Sequence, residues 1–361
     1  MNIPPFDSEA GEPTVLIYGA YGYTGTLVAE EAVRRGMHPV LGGRSEARLK
    51  PLADRLGLSY EAFSLDDSTR LEKACGNVDL VFHAAGPFAR TAGPMVHACL
   101  STGTHYLDIA GEIPVFERNF SLDGKARKRG VALISGVGFD VVPTDCLAAH
   151  VAARVDNPEH LEIAFLGTGG FSAGSLKTIL MHIHRPTLIR KDGHLQVDSK
   201  ARGIPIRFPD RVHFGFPITW GDLATAYHST GIPTIRTFMA SSRSKTLLLR
   251  AALPLARRIF ALQPLRRAAV RFVGDHLSGP DGNVRLRTKA YVWARARNRR
   301  DQTAEAWLEI PESYRFTAIA GVECMRRLLA GHYEGALTPS QAFGKDFVLE
   351  LPETKRFDEI T

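Results

Sequence analysis

Three glycines spaced three apart, in Gly19-Ala20-Tyr21-Gly22-Tyr23-Thr24-Gly25, constrain this chain more than any other feature of it. They follow the apolar run Val15-Leu16-Ile17-Tyr18 and precede Leu27, Val28, Ala32 and Val33 at helical spacing, so they occupy a turn between a buried strand and a helix. In such a turn the first glycine permits the sharp bend, the second lets backbone amides approach a ligand, and the third lets the helix lie close to the strand. The positive end of that helix then faces an anion. The pattern predicts a dinucleotide site at Gly19, Tyr21, Gly22, Tyr23, Thr24 and Gly25. An ordinary glycine-rich turn with no ligand is the competing reading.

Downstream, strands and helices alternate. Strands are expected at 39–41, 60–64, 80–85, 104–108 and 131–135, and helices at 45–56, 68–75, 93–101 and 117–129. Together with the strand at 15–18 this makes six parallel strands before residue 140. The fold class is therefore α/β, an N-terminal Rossmann doubly wound parallel sheet over 1–142. From Pro143 the rhythm changes to longer strands, at 161–166 and 284–294, with helices at 175–182 and 314–329. Residues 143–361 read as a second, α+β substrate or oligomerisation domain, with helix 314–329 packing back on the first. A length of 361 residues at 44% hydrophobic is enough for two such cores.

The end of the second strand selects between cofactors. An NAD site carries an acid there for the ribose 2′-hydroxyl, whereas this chain has Gly42-Gly43-Arg44-Ser45. Arg44 offers a planar fork to a 2′-phosphate, Ser45 adds a donor, and Arg48 stands one turn on. NADP is the expected cofactor. The plainer alternative is that Ser45 caps the next helix and Arg44 is solvated. After the fourth strand, Ala85, Gly86, Pro87 and Phe88 supply a small-residue turn on the sheet edge where the nicotinamide side of a cofactor lies.

The segments Tyr18–Gly25, Ala85-Gly86-Pro87-Phe88, His105–Glu112 and Gly138-Phe139-Asp140-Val141-Val142-Pro143-Thr144-Asp145 together resemble the saccharopine dehydrogenase-like oxidoreductases. Through Gly174-Ser175-Leu176-Lys177-Thr178 and the stretch from Thr338-Pro339 to Phe347, the chain is similar to the trans-acting enoyl reductase branch of mycobacterial polyketide-lipid assembly. The resemblance runs nearly the whole length. It implies reduction of carbon–carbon double bonds on acyl chains with NADPH, and does not imply lysine metabolism.

Enoyl reduction needs a donor for charge developing on the thioester oxygen and an acid for the α-carbon. Tyr106 is the first choice and Asp108 the second, at a strand end on the ligand-binding edge, with Glu112 in the following turn. A structural reading competes: alternate residues of a buried strand face opposite sides, so Tyr106 is equally a core residue and Asp108 a turn cap. Asp140 and Asp145 flank Pro143 at the domain crossing and read as hinge residues. Ser172, Ser175 and Lys177 approach a helix N-terminus suited to a substrate anion or to plain capping.

Charge is uneven. The stretch Arg243–Arg300 carries +13 against −6 for the rest of the chain. Within 245–273 six arginines alternate with leucine and alanine, and no acid interrupts them. Such a segment, with breaks expected near Pro254 and Pro264, suits either an anionic membrane or a carrier-bound acyl group, or else an ordinary helix pair with solvated arginines. Nucleic acid is not expected, since no binding motif accompanies the charge. Four scattered cysteines without a CxxC pair, and the adjacent His182 and His184 without a third ligand, predict no metal. The opening Asn2–Asp7 has no signal-peptide pattern, so a cytoplasmic, membrane-peripheral location is the expectation. Expected partners are a small-molecule or carrier-bound acyl substrate and a second copy in a homodimer. The alternative function is a non-catalytic NADP(H)-binding protein that docks to a membrane or partner through 245–273.

Overall fold

The computed structural model describes residues 13–167, 170, 172–199, 201–276 and 282–360. The opening 2–7 segment lies outside them. The chain divides into two units. The first comprises the described residues up to Val142 together with Tyr314–Pro352, and the second Pro143–Ser313 with the residues from Glu353 onward.

The first unit is built on six strands taken in chain order: β1 (Val15–Tyr18), β2 (Val40–Gly43), β3 (Tyr60–Ala62), β4 (Leu80–His83), β5 (His105–Asp108) and β6 (Ala132–Ile134). Their spatial order is β6-β5-β4-β1-β2-β3, every pairing is parallel, and the strand Gly335–Leu337 adds a seventh beside β6. β1 and β4 are buried along their whole length, as expected of strands covered by helices on both faces. Chain direction across the sheet reverses between β1 and β4, and doubly wound folds bind ligands at the carboxyl ends of such a pair.

Helix α1 (Tyr23–Arg34) buries Val28, Ala29 and Ala32, one stripe at helical spacing. Helix α2 (Glu46–Leu56) stops at Gly57 in the left-handed conformation, and α3 (Ser68–Gly76) starts where the Asp67 side chain accepts from the Arg70 amide. Helix α4 runs from Phe88 to Thr102, one turn and more upstream of the expected start at 93. The helix expected over 117–129 is two, Ile113–Ser121 and Asp123–Lys128, parted at Leu122. The helix Ser313–Ala330 is buried on all sides from Phe316 to Met325. An added methyl on its Gly321 would meet the Phe82 ring of β4 at 2.9 Å.

The second unit is a nine-stranded mixed sheet. Thr234–Ser241 and His160–Leu166 pair in parallel at its centre, and antiparallel strands flank them. Lys289–Arg297 and Thr303–Pro311 bury Ala290, Val292, Ala294 and Ala296 with Ala304, Ala306, Leu308 and Ile310 on one face, and on the other face Trp293 and Trp307 enter a core with Phe208 and Phe238. On the same face as the tryptophans, Arg295 lies over the Trp293 ring at 5.2 Å and pairs with Glu162 and Glu305 on neighbouring strands. Residues Gly282–Arg287, expected to begin a strand, form a short helix instead, and the strand starts at Lys289. The helix Arg243–Ala261 continues through Pro254, which faces solvent, and breaks at Leu262 ahead of Gln263–His276. Pro264 then occupies the start of a helix, where its missing N–H costs nothing.

Candidate functional site

The glycine turn closes over the carboxyl end of β1. Gly19 has φ +89°, a conformation open to glycine, and its amide donates to the Gly42 carbonyl at 2.8 Å. A Cβ there would lie 2.7 Å from the Ala85 amide nitrogen, so the loops after β1 and β4 touch at the switch point. At Gly25 a Cβ would collide with the Gly19 carbonyl oxygen, which is the close strand-to-helix packing that the third glycine permits. A Cβ on Gly22 meets only the Gly19 oxygen, at 3.1 Å, and is otherwise open. No side chain caps α1 at this end, among the described residues. Tyr21, Tyr23 and Thr24 are partly exposed around the turn, with the Tyr23 ring edge-on to Tyr314 at 5.0 Å.

Beyond β2, Gly43 makes room for the Tyr21 ring, 2.6 Å from where its Cβ would be. Arg48 stacks over that ring at 4.4 Å and donates to the Tyr21 carbonyl at 3.2 Å. Arg48 is thus committed to the turn. Arg44 differs: it is exposed and forms no ion pair among the described residues. Ser45 begins α2, yet its hydroxyl makes no cap bond, so the reading of Ser45 as a plain side-chain cap does not hold. An exposed guanidinium and an uncommitted hydroxyl therefore stand together where a 2′-phosphate would need them. The residues fit the expected cofactor: a cradle that side chains would fill, and a cation without a carboxylate.

After β4, the chain turns through Ala84 to Pro87 into α4. The Glu112 carboxylate accepts from the amides of Phe88 and Ala89, both at 3.0 Å. That interaction explains why α4 begins at Phe88, since it satisfies two of the amides a helix start leaves unbonded. Thr91 donates to the Ala85 carbonyl at 2.6 Å and lies 3.0 Å from His83 Nε2. Burial among the rings of Tyr18, Phe88 and Tyr106 pushes His83 down to about 3, so it is neutral.

Tyr106 and Asp108, expected as the catalytic donor and acid, are both fully buried. Tyr106 Oη donates to Asp108 Oδ2 at 2.8 Å, and Ser135 Oγ donates to the same oxygen at 2.9 Å. Asp108 Oδ1 accepts from the amides of Ala110 and Gly136, each at 2.9 Å. Asn119 completes the set by donating to Ser135 Oγ at 2.7 Å. Burial raises the Asp108 carboxyl and the Tyr106 hydroxyl above their ordinary values, the former against four donors. In this arrangement the pair ties β5 to the turn after β6, and no face of either side chain meets solvent.

Asp140 is the group the sequence reading left to the hinge. It is part-buried at the carboxyl edge beyond β6, and a Cβ on Gly111 would be 2.7 Å from its Oδ2. Desolvation pushes its carboxyl up to about 6. Glu112 adjoins Gly111, so a line of contacts runs from the loop after β4 through Glu112 and Gly111 to Asp140. The Phe139 amide beside it donates to Thr317 Oγ1 at 3.0 Å. Nothing in the local sequence pattern marks that carboxyl, because the neighbours that desolvate it arrive from other segments.

Residues 15–134 match the family model of the saccharopine dehydrogenase NADP binding domain. That stretch, within the first unit, is similar to the NADP-binding domains of saccharopine dehydrogenases. A Mycobacterium tuberculosis protein named as a trans-acting enoyl reductase is 34% identical over 182 residues, 46% of this chain and 43% of that protein. The trans-acting enoyl reductase of Mycobacterium leprae is 32% identical over 149 residues, 39% of this chain and 36% of its own length. The matched stretch thus spans less than half of these relatives. Among solved structures, Saccharomyces cerevisiae saccharopine dehydrogenase (L-Glu forming) aligns with a TM-score of 0.65 at 13% identity, covering 96% of this chain and all of that one. It shares the α/β fold, and the Rossmann sheet and second mixed sheet expected from the sequence are both present.

Proposed function

We propose that the protein is an NADPH-dependent oxidoreductase that reduces an enoyl or related acyl, lipophilic substrate. The observation that carries the reading is the glycine cradle at the β1/β4 switch point with Arg44, unpaired among the described residues, at the end of β2. The names of the partial-length relatives support the enoyl class. Bound NADPH supplies a hydride. The chain's own residues do the rest: Gly19, Gly22 and Gly25 keep side chains out of the phosphate path, and Arg44 with Ser45 holds the 2′-phosphate. Ala85, Gly86, Pro87 and Phe88 border the nicotinamide side.

In this reading Asp140, rather than Tyr106 or Asp108, is the general acid. A carboxyl held near 6 keeps a usable protonated fraction near neutrality, which a general acid requires. The buried Tyr106–Asp108 pair acts as a clasp on the edge. The test is a fluorescence titration of wild type and Arg44→Ala with NADPH and NADH, followed by NADPH oxidation on an enoyl thioester. Loss of two or more charge-assisted hydrogen bonds lowers NADPH affinity by roughly 10- to 100-fold and leaves NADH affinity unchanged. Equal affinities for both cofactors in wild type would overturn the 2′-phosphate assignment. Binding without turnover on any enoyl or carbonyl substrate would leave the non-catalytic docking protein as the better reading.

A further inference from the structure

Large apolar side chains left in water are concentrated in one place. Of the eleven among the described residues that are strongly exposed, Leu247, Leu248, Leu255, Ile259, Leu262, Leu265 and Phe272 all belong to the helices Arg243–Ala261 and Gln263–His276 or the residue joining them. Their spacing is regular. Leu248, Ala252, Leu255, Ile259 and Leu262 recur at intervals of four, three, four and three, which sets them on one stripe of the first helix. Leu265, Ala268 and Phe272 repeat the arrangement on the second. A helix pair docked in the ordinary way turns that stripe inward. Here the stripe faces out, with Leu248 70% and Leu255 63% exposed.

The charges over residues 243–273 are of one sign. Residues 243–273 hold eight lysines and arginines and no acid. Lys245 and Arg258 flank the first stripe, and Arg267 and Arg271 flank the second; all four are exposed. Arg257, on the opposite side, instead turns inward and donates to Thr187 Oγ1 at 3.0 Å. No helix among the described residues is long and apolar enough to cross a bilayer. An outward apolar stripe bordered by cations is the pattern of a helix that lies in the plane of an anionic lipid surface. A homodimer through the same stripes would bring the two cationic borders together, with Asp275 the one acid in the sequence of these helices to offset them.

We propose that the helices Arg243–Ala261 and Gln263–His276 form a docking face for the surface of an anionic phospholipid bilayer, with Leu248, Leu255, Ile259 and Phe272 entering the acyl boundary and Lys245, Arg258, Arg267 and Arg271 at the headgroups. The inference stands on the second unit alone and does not depend on the oxidoreductase reading. A lipophilic substrate, if that reading also holds, is then met at the surface where it resides.

The test is co-sedimentation of the full chain with vesicles of phosphatidylcholine alone and of phosphatidylcholine mixed with phosphatidylglycerol. Wild type is compared with Leu255→Ser/Ile259→Ser/Phe272→Ser and with Arg258→Glu/Arg267→Glu/Arg271→Glu. All six positions are exposed, and an unchanged circular dichroism spectrum and thermal melt in each variant check that it folds. The proposal expects binding to the anionic vesicles only, lost by more than tenfold in the serine variant. At about fivefold per basic residue near the surface, the glutamate variant loses on the order of a hundredfold, and added salt reproduces part of that loss. Wild type that ignores both vesicle types overturns the proposal. So does wild type that self-associates in solution and becomes monomeric in the serine variant, because the occupant is then a second copy. Equal binding to both vesicle types refutes the anionic requirement.

Discussion

Replacing Tyr106 with phenylalanine separates a clasp from a catalyst. The ring stays, so the apolar packing of β5 is kept and only the hydroxyl that donates to Asp108 Oδ2 at 2.8 Å is lost. Asp108 retains Ser135 Oγ and the amides of Ala110 and Gly136. A hydrogen bond to a buried charged group contributes about 1.5–3 kcal/mol, and three remaining donors hold the loss near the lower half, about 2 kcal/mol. For a unit of this size that lowers the melting temperature by about 4–8 °C. The assay is a thermal melt of wild type and Tyr106→Phe, following the transition that NADPH shifts upward, together with NADPH oxidation on an enoyl thioester. The expected result is a lower melting temperature with a turnover rate within a few-fold of wild type. An unchanged melting temperature with a rate down a hundredfold would refute the clasp and restore Tyr106 as the proton donor.

Two further outcomes follow from the same edge of the sheet. Gly25→Ala forces a methyl against the Gly19 carbonyl oxygen, so it costs about 3 kcal/mol and abolishes NADPH binding together with stability, as a urea melt and a titration will register. Asp140, with a folded value of about 6 above its usual 3.8, favours the folded state when protonated. Its contribution is fully present below about pH 4 and is lost as pH rises through 6, an effect of about 2 kcal/mol after allowing for partial exposure. Asp140→Asn removes that slope between pH 4 and 6 in urea melts. If Asp140 is the proton source, the same substitution also removes the fall in turnover as pH rises above 6, and a wild-type pH profile in the variant rules it out.

What was legible in the sequence was local. Strand, three-glycine turn and helix lie within twenty residues, and the replacement of an acid by Arg44 after β2 is a single-site difference. Both were readable because their causes are contiguous. The direction of Tyr106 was not, since Tyr106, Leu107 and Asp108 are all buried and a strand covered on both faces has no polar side to set its phase. The start of α4 at Phe88 depends on Glu112 arriving from another loop, and the break at Leu122 lies inside an otherwise continuous helical pattern. Residues 284–287 carry apolar and basic side chains that suit either a strand or a helix, so periodicity alone had no means of choosing. The short strand Gly335–Leu337 pairs with β6 across two hundred residues of chain, a distance over which pattern carries no information.

That seventh strand, with the helix Ser313–Ala330, has a consequence for the order of synthesis. The NADP-binding unit is begun by residues up to Val142 and completed by Tyr314–Pro352, with residues 143–313 of the second unit translated between them. Until residues beyond Leu337 emerge, β6 has an open edge and the Phe82 ring lacks the helix that Gly321 brings against it. The edge of the nascent sheet at β6 and the packing on Phe82 must therefore wait while residues 143–313 are made. Any early termination within residues 143–313 leaves the first unit unfinished as well, so its sheet and core are complete only on chains that have been translated past Leu337.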